Sequence, residues 1–494
     1  MSRQQPIDSS DLPSSTLRLG GWFRWLMLLV LLVAGCTPPP QVVVSLPPAT
    51  ATITPAPSAT ATDTPTSTAT PTETPSDTPS TTPTETPPEQ PTATPTLDPA
   101  KLTPVPTPTL AAMDQTQRTE LLDQVWQTVA DHYLYADFGG NNWVEIKQRY
   151  LPRALAAASP DEFYATLSEM VQELRDQHSR FEDPQRAFTQ QALANGTDAY
   201  VGVGMLTLEY DDGLLVTTVF PNSPAAEAGI KRRDLILAVD GRPVAGDGEV
   251  PEIGGPVDTA VQLEVRSPGT APRTVSLQRR PVLAQYVPEV YLLPDTRIGY
   301  VLVQSFWAQD MADRVAADLR ELLAANDGRL NGLIIDVRSN GGGWRSVLEG
   351  LLSHLTEGEV GAFYSQEKTY PLKITASDLY PALKDLPLVV LVDRDTESYA
   401  EVFAAVLQAR RGARVIGVNT AGNTETIYAY DFDDGSRLWV AQEGFRLPDG
   451  SNLENRGVLP DRSIAVDWMR FSEARDPQLV EAIQMIEQQM AVHQ

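Results

Sequence analysis

The stretch DTESYAEVFAAVLQ, residues 395–408, sets a serine at the head of an apolar helix. Ser398 and Glu401 are spaced as an S-x-x-E capping box, in which the hydroxyl accepts a helix N–H and the carboxylate returns to the serine N–H. The same hydroxyl suits attack on a carbonyl carbon. A serine is a weak nucleophile by itself, so that chemistry requires a base that takes its proton during attack and later protonates the leaving group. Capping and attack compete for one oxygen. Taken alone, the stretch favours the cap, because capping boxes open helices of every kind. The chain holds four imidazoles, at His132, His178, His354 and His493. Cys36 is its single cysteine, which excludes an intramolecular disulfide and any multi-cysteine metal site.

The surroundings of Ser398 read as an α/β layer. Apolar strands in IGYVLVQSF (298–306), GLIIDVRS (332–339), PLVVLVD (387–393) and ARVIGV (413–418) alternate with helices predicted over 310–325, 344–355 and 398–410. Buried strands alternating with helices imply a mainly parallel sheet. Ahead of this layer, from about Ala199 to Arg280, short strands and turns predominate. Helical periodicity comes earlier still: Leu122, Val125, Trp126 and Val129 fall at i, i+3, i+4 and i+7, and Phe163, Leu167, Met170 and Leu174 share a second face. The fold class is therefore α/β within a multidomain α+β chain. It comprises a helical part over 113–195, a β domain over 196–282, an α/β core over 283–470 and a C-terminal helix over 471–494.

Residues 37–112 are almost wholly Thr, Pro, Ser, Ala and Glu. That composition cannot offset the entropy of ordering, and the expectation is a stiff, disordered stalk. Residues 1–36 have the layout of a secretory signal, with Arg18 and Arg24 ahead of an apolar run from Trp25 to Ala34 that is short for a bilayer span. The run ends in LVAGC, which resembles a bacterial lipobox with Cys36 as the lipidated first residue of the mature protein. The formal net charge of −26 moves to about −27 when residues 1–35 are removed. So acidic a chain argues against nucleic acid as a partner, and lipid is the expected membrane attachment. The expected location is extracytoplasmic, lipid-anchored to the bacterial cell membrane.

Three stretches in order, YVGVGM (200–205), NSPAAEAGI (222–230) and KRRDLILAVDGRPV (231–244), resemble a bacterial PDZ domain. The resemblance implies a peptide-binding loop at Gly202, Val203 and Gly204, where backbone N–H groups approach a terminal carboxylate at a sheet edge. Around it, LRDQHSRFEDP (174–184), IIDVRSNGGGW (334–344), the Ser398 stretch and RGVLPD (456–461) resemble the C-terminal processing, or tail-specific, peptidases. That family implies an α/β catalytic core with ClpP/crotonase-like parallel sheet layers and places Ser398 at the nucleophile. The familiar members carry a lysine base where this chain has Asn423, and no lysine follows Lys384.

His493 lies at the C-terminus, His132 in an aromatic-rich helix end, and His354 in the helix after the glycine turn. His178 remains, just past the apolar stripe of its helix. The tricorn-core branch of the superfamily uses Ser, His and Glu, and Ser398, His178 and Glu454 match it residue by residue. Gln177 stands where that branch has a small hydroxyl residue, so no fourth member is carried over. The resemblance implies an oxyanion hole from the N–H of Tyr399 and from Gly341 and Gly342, and no metal or organic cofactor. The expected function is an extracytoplasmic, membrane-anchored serine endopeptidase acting on unfolded or C-terminally recognised polypeptides. The alternative is a catalytically inactive peptide-binding homologue of the same fold; a third, weaker reading is an adhesive or scaffolding module on a stalk.

Overall fold

The computed structural model describes residues 108–195, 199–210, 212–245 and 251–492. The signal-like run, Cys36, most of the Thr/Pro-rich segment and His493 lie outside the described residues. Among the described residues, no helix is long and apolar enough to cross a membrane.

One six-stranded sheet organises the core. Its order is Glu289–Leu292, Ile298–Leu302, Gly332–Asp336, Leu388–Val392, Arg414–Gly417 and Arg462–Ser463, parallel except between the first two strands. Alternate residues of one strand enter different cores. Val390 and Val392 pack under the helices Met311–Ala324, Arg345–Ser353 and Tyr399–Val406, while Val389 and Leu391 face the C-terminal helix Pro477–Val492. A strand covered on both faces has no solvent side, so its sequence is an unbroken apolar run. Each such Val or Leu contributes roughly 1.5–3 kcal/mol by burial. The helix predicted over 398–410 leaves α geometry at Val406 and continues as a π-turn, Leu407–Arg411, closed by Gly412 at φ 66°.

The N-terminal helices Gln115–His132, Trp143–Ala156 and Pro160–Gln172 share a core with Phe181, Leu438, Val440 and Ala441. This packing brings the segment after the third helix to the catalytic layer. Strand Arg180–Glu182 pairs antiparallel with Arg437–Arg446, with Arg180 opposite Trp439. The latter strand also pairs with Gly358–Tyr364 and Thr426–Asp431. His178 therefore reaches the sheet layer through a strand register, not through its own helix.

The β domain leaves and rejoins the chain through the antiparallel pair Ala199–Gly202 with Arg280–Leu283. Its sheet runs Met205–Tyr210, Gly213–Val219, Leu235–Val239, Ala260–Arg266 and Arg273–Gln278. Met205–Tyr210 lies at the edge, and an edge strand offers unpaired backbone groups to an added strand. At its head, Gly204 adopts φ 80°, and a Cβ there would stand 2.1 Å from the Cβ of Ser223.

Candidate active site

Ser398 stands at the turn between strand Leu388–Val392 and helix Tyr399–Val406 with φ 56° and ψ −129°. That conformation strains any residue other than glycine, typically by about 1–3 kcal/mol, and a strained strand-to-helix turn lifts the serine out of the regular backbone path. The turn is held from two sides. The N–H of Glu397 donates to the carbonyl of Asn340 (2.9 Å), and the N–H of Ser398 donates to the carbonyl of Asn423 (2.8 Å).

Glu401 does more than cap. Its fully buried carboxylate accepts the N–H of Ser398 at 3.1 Å, of Gly422 at 2.7 Å and of Asn423 at 2.8 Å, and the hydroxyl of Thr420. The N–H of Glu401 donates to the Ser398 carbonyl at 2.9 Å. The carboxylate thus ties the loop 420–423 to the nucleophile turn. Glu401→Gln exchanges one acceptor oxygen for a donor facing N–H groups. It is expected to lower stability by about 1–3 kcal/mol and to slow turnover with it, as thermal unfolding beside steady-state kinetics will read.

The glycine turn lies against this site. A Cβ on Gly342 would sit 2.7 Å from Ser398 Cβ, 3.1 Å from Ser398 Oγ and 3.1 Å from the nitrogen of Tyr399. The two carried-over glycines differ in their N–H groups: that of Gly342 donates to Asn340 Oδ1 at 2.9 Å. Among the described residues, no acceptor is bonded to the N–H of Gly341 or of Tyr399. An oxyanion hole built from the present geometry would use these two.

His178 is buried, 6% exposed, and its Nε2 makes no hydrogen bond within the chain. Burial pushes its pKa down to about 4, opposed by the Asp176 carboxylate and by the Asn423 carbonyl against which the ring rests. Asp176 sets the local backbone, because its Oδ1 accepts the N–H of His178 at 2.9 Å and the N–H of Ser179. Glu454 accepts the N–H and the hydroxyl of Thr424 at 2.8 and 3.2 Å through one oxygen. Burial raises its pKa, and the charges of Glu401 and Asp176 add to the rise.

Ser398, His178 and Glu454 thus meet at two consecutive residues, 423 and 424. Among the described residues, no hydrogen bond joins Ser398 Oγ to His178, or His178 to Glu454. The Asn423 backbone serves both Ser398 and Glu401, while its side-chain Oδ1 is buried without a partner in the chain. Of the other described histidines, His132 stacks on Tyr430 at 5.2 Å, and His354 bonds Ser377 Oγ at 2.8 Å and the Ala312 carbonyl at 3.3 Å.

Two carboxylates escaped the sequence analysis. Asp176 stands two residues before His178, a local signal that was open to reading. Glu425 accepts the hydroxyl of Tyr135, 290 residues away, and no local pattern marks it. Its pKa is pushed up to about 8 by burial, with the charges of Glu454 and Asp176 contributing. Near neutral pH it is therefore largely an uncharged acid beside Glu454.

Comparisons with known proteins bear on the domains of the chain. Residues 297–464 match the model of peptidase family S41, residues 114–172 that of the tricorn protease C1 domain, and residues 215–266 that of a PDZ domain. The chain is 28% identical over 378 residues to a carboxyl-terminal-processing protease of Synechocystis sp., covering 75% of this chain and 86% of that protein. It is 26% identical over 397 residues to a protein of the same name from Picosynechococcus sp., covering 77% and 92%. A crystal structure assigned to the S41 proteases, from Bacteroides fragilis, shares the fold with a TM-score of 0.51 at 18% identity, covering 74% and 97%.

Proposed function

From the premise that the chain is a serine-type peptidase of the C-terminal-processing kind, with an S41 domain and a PDZ domain, we propose that it cleaves polypeptides through an acyl-enzyme on Ser398. In this reading His178 takes the hydroxyl proton as Oγ attacks, and the imidazolium then protonates the leaving amine. Glu454 orients and stabilises that imidazolium. The N–H groups of Tyr399 and Gly341 receive the oxyanion. Water, deprotonated by the same imidazole, releases the second product. Substrates are unfolded chains or chains captured by their C-termini along the edge strand Met205–Tyr210. The enzyme acts outside the cytoplasm, held to the membrane by lipid on Cys36.

The observation that supports this most is that the Ser398 backbone N–H, the His178 ring and the Glu454 carboxylate all meet residues 423 and 424, with His178 in the neutral form a base requires. The relay is open in the present geometry, and catalytic hydrogen bonds commonly tighten only when substrate binds. The second reading, an inactive peptide-binding homologue, draws on Asn423 at the lysine position.

The pH profile separates them. A free imidazole titrates near ~6.5. His178, held down to about 4, is deprotonated throughout the range above that value. Cleavage of an unfolded model protein by the full chain is expected to show an acid limb in kcat/KM near pH 4 and no limb near 6.5. The same shift makes the fold lose stability as pH falls from about 6.5 toward 4, since the unfolded imidazole protonates first. A limb at 6.5 would place the base on a solvated group. Absence of cleavage at every pH, with no phosphonate labelling of Ser398, would favour the binding-protein reading.

A further inference from the structure

We infer that Arg345 is a positioning residue that holds the nucleophile, the oxyanion donors and the base-bearing strand in register; the inference rests on the peptidase reading above. Arg345 opens the helix that follows the glycine turn, four residues after Gly341. Its side chain is partly buried, 24% exposed, and the guanidinium lies over the ring of Phe363 at 3.8 Å. It reaches four further side chains. Nε donates to the Tyr399 hydroxyl at 3.1 Å, one terminal nitrogen to the Tyr370 hydroxyl at 2.7 Å, and the other to Thr426 Oγ1 at 3.3 Å and to the Glu443 carboxylate. The hydroxyls of Tyr399 and Thr426 are themselves bonded at 2.8 Å.

Three of these partners, Tyr399, Thr426 and Glu443, belong to segments that the proposed chemistry uses. The N–H of Tyr399 is an oxyanion donor, and its ring is locked from the far end by Arg345. Thr426 lies two residues beyond Thr424, the anchor of Glu454. Glu443 sits on strand Arg437–Arg446, two residues from Ala441, whose N–H donates to Ser179 Oγ at 3.0 Å beside His178. One planar fork with donors in fixed directions thereby indexes the pieces against one another, which a lysine ammonium cannot reproduce. A partly desolvated ion pair is a weak source of stability, so geometry is the better account of why the charge is placed here. Misplacement by about 1 Å remote from the reacting atoms can cost ~10²-fold in rate.

The test compares Arg345→Lys and Tyr399→Phe with the unaltered full chain in kcat, KM, thermal unfolding and amide hydrogen exchange. Tyr399→Phe deletes a single oxygen and serves if Arg345→Lys does not fold. The expected result is a fall in kcat of ~10–10²-fold with KM within about twofold and little change in the unfolding temperature. Exchange is expected to quicken together at 339–343, 396–402, 423–428 and 176–180. A loss of activity that merely follows lost thermal stability, or quickening confined to the turn around residue 345, would overturn the inference. Should the unaltered chain cleave nothing, the peptidase reading fails separately, and hydrogen exchange alone decides whether the register depends on Arg345.

Discussion

Ser398→Ala and His178→Ala are each expected to lower kcat/KM for an unfolded polypeptide by about 10⁴-fold or more, and the double variant to be little worse than either alone. Nucleophile and base act as one unit, and once one is gone the other has nothing to exchange a proton with. Thermal unfolding separates this from collapse of the fold. Ser398 stands at φ 56°, ψ −129°, a conformation open to glycine. Ser398→Gly is therefore expected to be as inactive as Ser398→Ala, yet more stable than it by about 1 kcal/mol through relief of backbone strain. Additive losses in the double variant would show that the two residues do not share a step. Residual cleavage in Ser398→Ala near the unaltered rate would remove the acyl-enzyme altogether.

Gly342→Ala should disrupt the catalytic geometry without replacing a catalytic residue. The new methyl would stand 2.7 Å from Ser398 Cβ and 3.1 Å from both Ser398 Oγ and the nitrogen of Tyr399, at a residue with φ 78°. Those contacts are too close for the backbone to remain in place, and the oxyanion site is displaced. The loss of one oxyanion donor typically costs 10²–10³ in kcat, and a fall of about that size is expected. Gly341→Ala is the matched comparison, because a Cβ there meets nothing within 4 Å and the N–H is retained. It is expected to cost at least an order of magnitude less. Equal effects of the two substitutions in steady-state kinetics would mean that the turn acts only through its flexibility.

The class of fold was legible before any coordinates. Unbroken apolar runs such as Leu388–Val392 announce strands buried on both faces, and Phe163, Leu167 and Met170 announce one face of a helix, although Leu174, expected on the same face, lies in the turn past its end at Gln172. These are local periodicities, set by the backbone's own geometry. The serine–histidine reading came from the family resemblance: that family implies a lysine base, no lysine follows Lys384, and its tricorn-core branch uses an imidazole instead.

What the tertiary structure alone decided is how those residues are held and charged. Glu401 reads as the second half of a capping box, yet its carboxylate is the anchor of a loop that begins 19 residues downstream. His178 looks like an ordinary imidazole in sequence, and only burial among distant segments moves it to about 4. Glu425 and Arg345 carry no local signature at all, because their partners lie 290 and up to 98 residues away. Local pattern determines which elements form and which face each buries. Hydrogen-bond partners, desolvation and charge proximity depend on which remote segment packs alongside, and those pairings exist only once the chain is folded.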